Sequence, residues 1–155
     1  MVENNVTRLL DSRNVDFVAH ELPDEKLGAI NVAKALDVPL EQVFKTIVVK
    51  RLNKGKTILA MVPGNKEVNL KLMAQALNEK KVVLASHREA EQITGLKVGG
   101  ISPLALINRG FQVIIDLSAK NFERIYISGG ERRLNINIRV PDLIDITNAS
   151  TAIIS

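Results

Sequence analysis

Residues 43–51 read Val-Phe-Lys-Thr-Ile-Val-Val-Lys-Arg. Apolar β-branched and aromatic residues dominate the stretch, which makes it the clearest strand in the chain. The Asn53-Lys54-Gly55-Lys56 that follows has turn composition and leads into a second apolar run at residues 57–62, so a β-hairpin is predicted. Towards the N-terminus, residues 16–20 read as a short strand and residues 21–28 as a polar loop. A helix is predicted over 31–36, with Val32, Ala33 and Leu36 on one stripe and Pro39 beyond its end. Val2, Val6, Leu9 and Leu10 have helical spacing, with Asn4 or Asn5 as the cap and Asn14 as the stop.

Beyond the hairpin, Leu70, Met73, Ala74 and Leu77 fall at i, i+3, i+4 and i+7, which predicts an amphipathic helix capped by Asn69. A strand over 81–84 precedes Ser86 and Glu89, whose spacing is that of a capping box, and Gly95 stops the helix they start. Strands are predicted at 112–116, 124–128 and 134–139, forming a meander or mixed sheet, and Pro141 suits the first turn of a short helix. No linker, low-complexity run or repeat divides the 155 residues, so one α+β domain over 1–155 is expected.

Composition narrows the chemistry. Hydrophobic residues make up 46% of the chain but aromatic residues only 3%, which disfavours an aromatic stacking platform for single-stranded nucleic acid. With Cys 0, disulfides, thiolate catalysis, zinc fingers and iron–sulfur clusters are excluded. Lys+Arg 21 against Asp+Glu 17 leaves a charge of +4, compatible with an anionic partner without requiring one. No apolar run approaches the roughly 20 residues of a membrane span. Residues 1–14 also lack the apolar core of a signal peptide, so a cytoplasmic location is expected.

Lys45 is the most informative residue, because strand alternation places it on one face with Val43, Ile47 and Val49. An ammonium on an apolar face must reach water, a carboxylate or an anionic ligand, and a solvent-reaching edge lysine is the plain alternative to a functional one. Thr46 lies on the opposite face with Phe44 and Val48, where a threonine is ordinarily just a β-former. The Gly99-Gly100-Ile101-Ser102-Pro103 segment is a tight turn or a loop offering peptide N–H groups to an oxyanion or phosphate. Ser128-Gly129-Gly130 is accounted for by a hairpin turn. His20 and His87 are far apart in sequence and read as structural or surface residues. Neither a Gly-x-Ser-x-Gly elbow nor a Gly-x-x-x-x-Gly-Lys phosphate loop occurs.

Three stretches, VFKTIVVK (43–50), TGLKVGGISPLA (94–105) and IYISGGERRLNI (125–136), together resemble the YbaK family of prolyl-tRNA-editing deacylases. The similarity runs in order from LLDSRNVDF (9–17) through LKLMAQALNEKKV (70–82) to Pro141-Asp142-Leu143. The same domain type occurs as an insertion in bacterial prolyl-tRNA synthetases. The resemblance implies a mixed, mostly antiparallel sheet or partial barrel surrounded by helices, acting in trans to cleave the ester of Cys-tRNA(Pro). Alternatives are an editor of Ala-tRNA(Pro) or of another small amino acid, and a non-catalytic module that binds a tRNA end, a nucleotide or a synthetase.

By the same resemblance, Lys45 matches the family's essential lysine, with Thr46 beside it. Gly100, with Gly99, Ile101, Ser102 and Pro103, matches the loop next to the ester, and Ser128, Gly129 and Gly130 match a turn lining the pocket. No cofactor and no metal are implied. The partners implied are the 3′ end of a mischarged tRNA and prolyl-tRNA synthetase, which would supply tRNA identity. This chain departs from the cysteine-editing pattern by carrying Leu22 and Gly28 where aromatics are expected, and Asn135 where an acidic residue is expected. These departures alter pocket shape and charge, and leave open which amino acid is removed.

Overall fold

The computed structural model describes residues 2–155. The hairpin forms as its composition predicts. Strand β2 (Phe44–Arg51) pairs antiparallel with β3 (Ile58–Pro63), from Phe44 opposite Pro63 to Val49 opposite Ile58. All six residues of β3 are buried, so the strand reads Ile-Leu-Ala-Met-Val-Pro without polar alternation. Phe44, Val48, Leu59 and Met61 enter a larger core on one side of the sheet. Val49, Ile58, Ala60 and Val62 enter a smaller one on the other, with Met73 and Ala74.

The remaining strands are β1 (Phe17–Glu21), β4 (Val82–Leu84), β5 (Gln112–Asp116), β6 (Arg124–Ser128), β7 (Leu134–Arg139) and β8 (Ser150–Ala152). They divide into a five-stranded sheet of order β4-β2-β3-β5-β8 and a three-stranded sheet of order β1-β7-β6. The larger sheet is mixed, since β5 lies parallel to both β3 and β8, and the smaller is antiparallel throughout. A single bridge from Val43 to Tyr126 joins the two, so the α+β fold contains no closed barrel.

The expected meander or mixed sheet of β5, β6 and β7 is therefore corrected, since β5 joins the large sheet and only β6 and β7 pair with each other. A 3-10 turn at Leu117–Asn121, capped by the Asp116 carboxylate on the Ser118 N–H, turns the chain out of the large sheet before β6 begins. Burial raises the proton affinity of Asp116, but hydrogen bonds from Ser118, the Ile154 N–H and Ser155 outweigh it and hold the carboxyl below its usual range. Through the Ile154 bond Asp116 also fastens the segment after β8, a three-residue strand too short to show periodicity.

Among the described residues five helices cover the sheets: α1 (Asn5–Ser12), α2 (Gly28–Leu36), α3 (Leu70–Leu77), α4 (His87–Thr94) and α5 (Val140–Thr147). Asn4 caps α1 in a box closed by Thr7, Asn69 caps α3, and Ser86 with Glu89 forms the expected box on α4. Helix α2 starts at Gly28, three residues before the predicted start, because Ala29 extends the apolar stripe of Val32, Ala33 and Leu36 by one turn. Among the described residues no helix is long and apolar enough to cross a membrane.

Arg51 staples the far end of the hairpin. Its Nη1 donates to Glu79 Oε1 at 2.6 Å, its Nε to the Lys56 carbonyl at 2.8 Å and its Nη2 to Gln112. The two charged side chains are only 12% and 17% exposed. Removing one partner strands a mostly buried charge, so Arg51→Ala should lower unfolding free energy by about 3 kcal/mol in urea denaturation, with Arg51→Lys recovering only part of it.

Candidate active site

The site originates in a gap in strand pairing. The Gly64 N–H donates to the Val43 carbonyl at 2.7 Å. In the antiparallel register that follows, Lys45, Ile47 and Val49 turn their peptide groups towards β3. Thr46 and Val48 turn theirs to the opposite edge. There Val48 O is met by the Ala85 N–H at 3.0 Å, and β4 pairs only with Val49, Lys50 and Arg51. Among the described residues the smaller sheet bridges by its backbone to this edge only at Val43. The Thr46 peptide thus faces the opening between the two sheets, where a cavity of about 430 Å³ lies along β2.

Six of the residues singled out from the sequence line this cavity: Lys45, Thr46, Gly99, Ile101, Ser128 and Asn135. Leu22 and Gly28, the two positions without the expected aromatic rings, line it as well. The Lys45 ammonium is held by the Glu67 carboxylate at 2.9 Å, and its side chain is 25% exposed. Glu67 lies in the polar connection before α3, where nothing in the sequence marks it.

Gly100, Ser102, Pro103, Gly129 and Gly130 are not in the cavity wall, and each shapes the loops behind it. The Gly100 N–H donates to the Lys97 carbonyl at 2.7 Å, closing a turn whose third residue, Gly99, has φ +95°. That N–H is therefore already used. A Cβ on Gly100 would stand 2.9 Å from Glu131 Cα, so the absent side chain lets this loop dock on the β6–β7 turn. Arg132 clamps the same junction, its Nε donating to the Val98 carbonyl at 2.8 Å. Ser102 is fully buried and its Oγ accepts from the Leu104 N–H, capping the short turn at Pro103–Ala105.

On the other motif, the Gly129 N–H donates to the Leu134 carbonyl at 2.9 Å, while the Gly130 N–H donates to Ser128 Oγ at 3.3 Å. Asn4, besides capping α1, donates to the Gly129 carbonyl and to Glu131. Arg133, burial and Asn4 act on the Glu131 carboxyl in that order, with the net effect of lowering its proton affinity.

Asn135 sits in β7 between His20 and Ser128 and is 4% exposed. Its Oδ1 is the buried side-chain polar atom left without a hydrogen-bond partner among the described residues. An unmet buried acceptor costs about 1–3 kcal/mol, and in a cavity wall it is repaid by a donor on a ligand.

The histidines separate. His20 packs its ring near Tyr126, with centroids 6.0 Å apart, and stays out of the cavity wall. His87, read from the sequence as structural or surface, opens α4 and lines the cavity mouth, with Lys26 Nζ at 3.2 Å from its Nδ1. Helix α4 is anchored to β2 by Lys50 on Glu89. The Lys50 hydrogen bond, then the Ser86 N–H, pull the Glu89 carboxyl down to about 2. No cluster of three His, Cys, Asp or Glu side chains fit for a metal ion occurs among the described residues.

A lysine beside an unpaired strand edge, two interlocked glycine loops and a buried orphan acceptor around one apolar cavity fit a site for a small polar ester. Residues 23–146 match the aminoacyl-tRNA editing domain model, and the chain belongs to that family, whose members are hydrolases of the aminoacyl-tRNA ester. Over 97% of this chain and 92% of the relative, it is 29% identical to a protein of Enterococcus faecalis provisionally named Cys-tRNA(Pro)/Cys-tRNA(Cys) deacylase EbsC. It is 27% identical to the proline–tRNA ligase of Fervidobacterium nodosum over 76% of the chain, a match that spans 21% of the ligase. In fold it resembles hypothetical protein APE2540 (TM-score 0.88, 23% identity, 97% and 99% of the two chains). A structure described provisionally as a trans-editing enzyme for prolyl-tRNA synthetase aligns with TM-score 0.81 and 20% identity over 100% and 99% of the chains.

The orphan acceptor yields a test of what the site costs. Asn135→Leu keeps the branched shape, adds bulk on the cavity side and deletes the unmet oxygen, so the ligand-free protein should gain about 1 kcal/mol in urea denaturation while ester cleavage falls. A destabilised variant would show that Asn135 serves the fold instead.

Proposed function

We propose that residues 1–155 act as one editing domain that hydrolyses Cys-tRNA(Pro) in trans in the cytoplasm, with prolyl-tRNA synthetase supplying tRNA identity. The observation that carries this reading is the convergence of Lys45, the free Thr46 edge and the Asn135 acceptor in one cavity. The name of the Enterococcus faecalis relative supports cysteine as the amino acid removed.

Aminoacyl esters are reactive, so positioning and oxyanion stabilisation are the main requirements, and no protein nucleophile is needed. The Thr46 N–H at the open edge is placed to hold the developing oxyanion, a role the Gly100 N–H has given up to Lys97. Asn135 Oδ1 accepts from the substrate ammonium. Lys45, steadied by Glu67, holds a ribose oxygen of the terminal adenosine. The substrate thiol then attacks its own carbonyl: a C–S bond forms, the C–O bond to the ribose breaks and the thiol proton ends on the ribose oxygen. Water opens the resulting thiolactone to free cysteine. Proline is refused by shape, since its ring closes on nitrogen, whereas a one-methylene difference in size gives only about 1–3 kcal/mol.

Single-turnover deacylation tests this reading. Lys45→Ala should lose about 100-fold or more in rate with an unchanged circular dichroism spectrum. Full activity in that variant would remove Lys45 from the site.

Selectivity is the second test. Cys-tRNA(Pro) should be cleaved and Pro-tRNA(Pro) spared, and the serine ester should react far more slowly than the cysteine ester. Equal serine and cysteine rates would point to water as the attacking group and to a small-amino-acid editor. Cleavage of the proline ester as fast as the others would end the editing assignment.

A further inference from the structure

If the aminoacyl ester occupies the cavity, the covalent structure of the substrate dictates where its nearest charge must lie. The ester oxygen is on the terminal ribose, and the phosphodiester to the preceding nucleotide leaves that ribose at its 5′ carbon. An anion must therefore sit one ribose away from the reacting carbonyl. The apolar interior is a costly place for it, so it belongs at the mouth. Lys45 is a poor candidate to receive it, because its ammonium is already paired with Glu67.

The mouth offers Lys26 and His87, brought together from the loop before α2 and the first turn of α4. Lys26 Nζ lies 3.2 Å from His87 Nδ1. An ammonium has only protons to offer, so Nδ1 is the acceptor and the ring carries its proton on Nε2. The His87 Nε2–H then points away on the far side of the ring, while the remaining Lys26 protons stay free for a ligand. Both side chains are exposed, and no carboxylate pairs with either among the described residues, although Glu25 lines the same cavity. An ammonium oriented by the His87 ring and left without a counter-anion suits a phosphodiester, which accepts its free protons and supplies the missing charge.

We propose that Lys26 and His87 form a phosphodiester site at the cavity mouth, taking the phosphate on the 5′ side of the terminal nucleoside. The proposal rests on the deacylase reading and adds a second anchoring point that sets the ester's depth in the cavity. It also explains how a chain with a charge of only +4 can hold the end of a polyanion: the cation is concentrated where the first phosphate must pass.

Two uncleavable probes test it by titration calorimetry: adenosine carrying cysteine through a 3′-amide, with and without a 5′-methyl phosphodiester. The wild-type protein should bind the phosphodiester probe about tenfold more tightly, with the advantage shrinking in high salt. In the Lys26→Ala/His87→Ala double variant the ratio of the two affinities should fall to about one. A ratio that survives in that variant, or that collapses instead in Arg132→Ala, overturns the assignment. Equal binding of both probes by the wild type overturns the phosphate site alone. Binding of neither overturns it together with the deacylase reading.

Discussion

A strand has two edges, and most of this structure follows from the fact that only one edge of β2 is fully paired. Along β3 the ladder is continuous from Phe44 to Val49, yet on the other side, among the described residues, the smaller sheet forms a backbone bridge only at Val43, just before β2, and β4 begins only at Val49. Buried peptide groups left without partners are costly, so an opening of this kind persists only where the surroundings hold it rigidly. Here the holding is done from both ends. The apolar hairpin fixes the strand, while the Lys50–Glu89 pair fixes α4 beside it. The opening is thereby a property of the topology.

The two glycine motifs are parts of one device. One loop passes behind the cavity and docks on the turn between β6 and β7, and a Cβ on Gly100 would meet the Glu131 backbone. Arg132 fastens the junction from one side and Asn4 fastens the turn from the other, so that a helix cap at the N-terminus bears on the shape of a cavity more than a hundred residues away. Gly99, Ile101 and Ser128 enter the wall because their neighbours are used up in making this joint. Such packing fixes the shape of the cavity wall where loop mobility would blur it.

The site is polar where the fold can least afford it. Asn135 keeps an unpaired oxygen inside a strand that is otherwise buried, and Lys45 stands in the cavity wall with its ammonium on Glu67. Stability is recovered away from the cavity, in the Arg51 staple and in the hydrogen-bonded Asp116 that secures the C-terminal segment. This separation leaves the cavity wall free to be selected for its ligand.

Local chemistry made the hairpin, the helices with their caps and the oddity of Lys45 legible in the residues themselves, because strand alternation, helical periodicity and capping boxes operate over a few positions. The ordered motifs around Lys45, Gly100 and Ser128 likewise carried the family. What the residues could not show was which edges pair. β5 leaves the sequence neighbours β6 and β7 to lie parallel to β3, and β8 is three residues long, so no short-range signal distinguishes this arrangement from a meander. For the same reason the Thr46 peptide, Glu67 and the Lys26–His87 pair became visible only in the folded chain. Their roles depend on which groups are left unpaired or brought into contact when distant segments meet, and pairing across 22 or 61 residues is decided by the packing of the whole sheet.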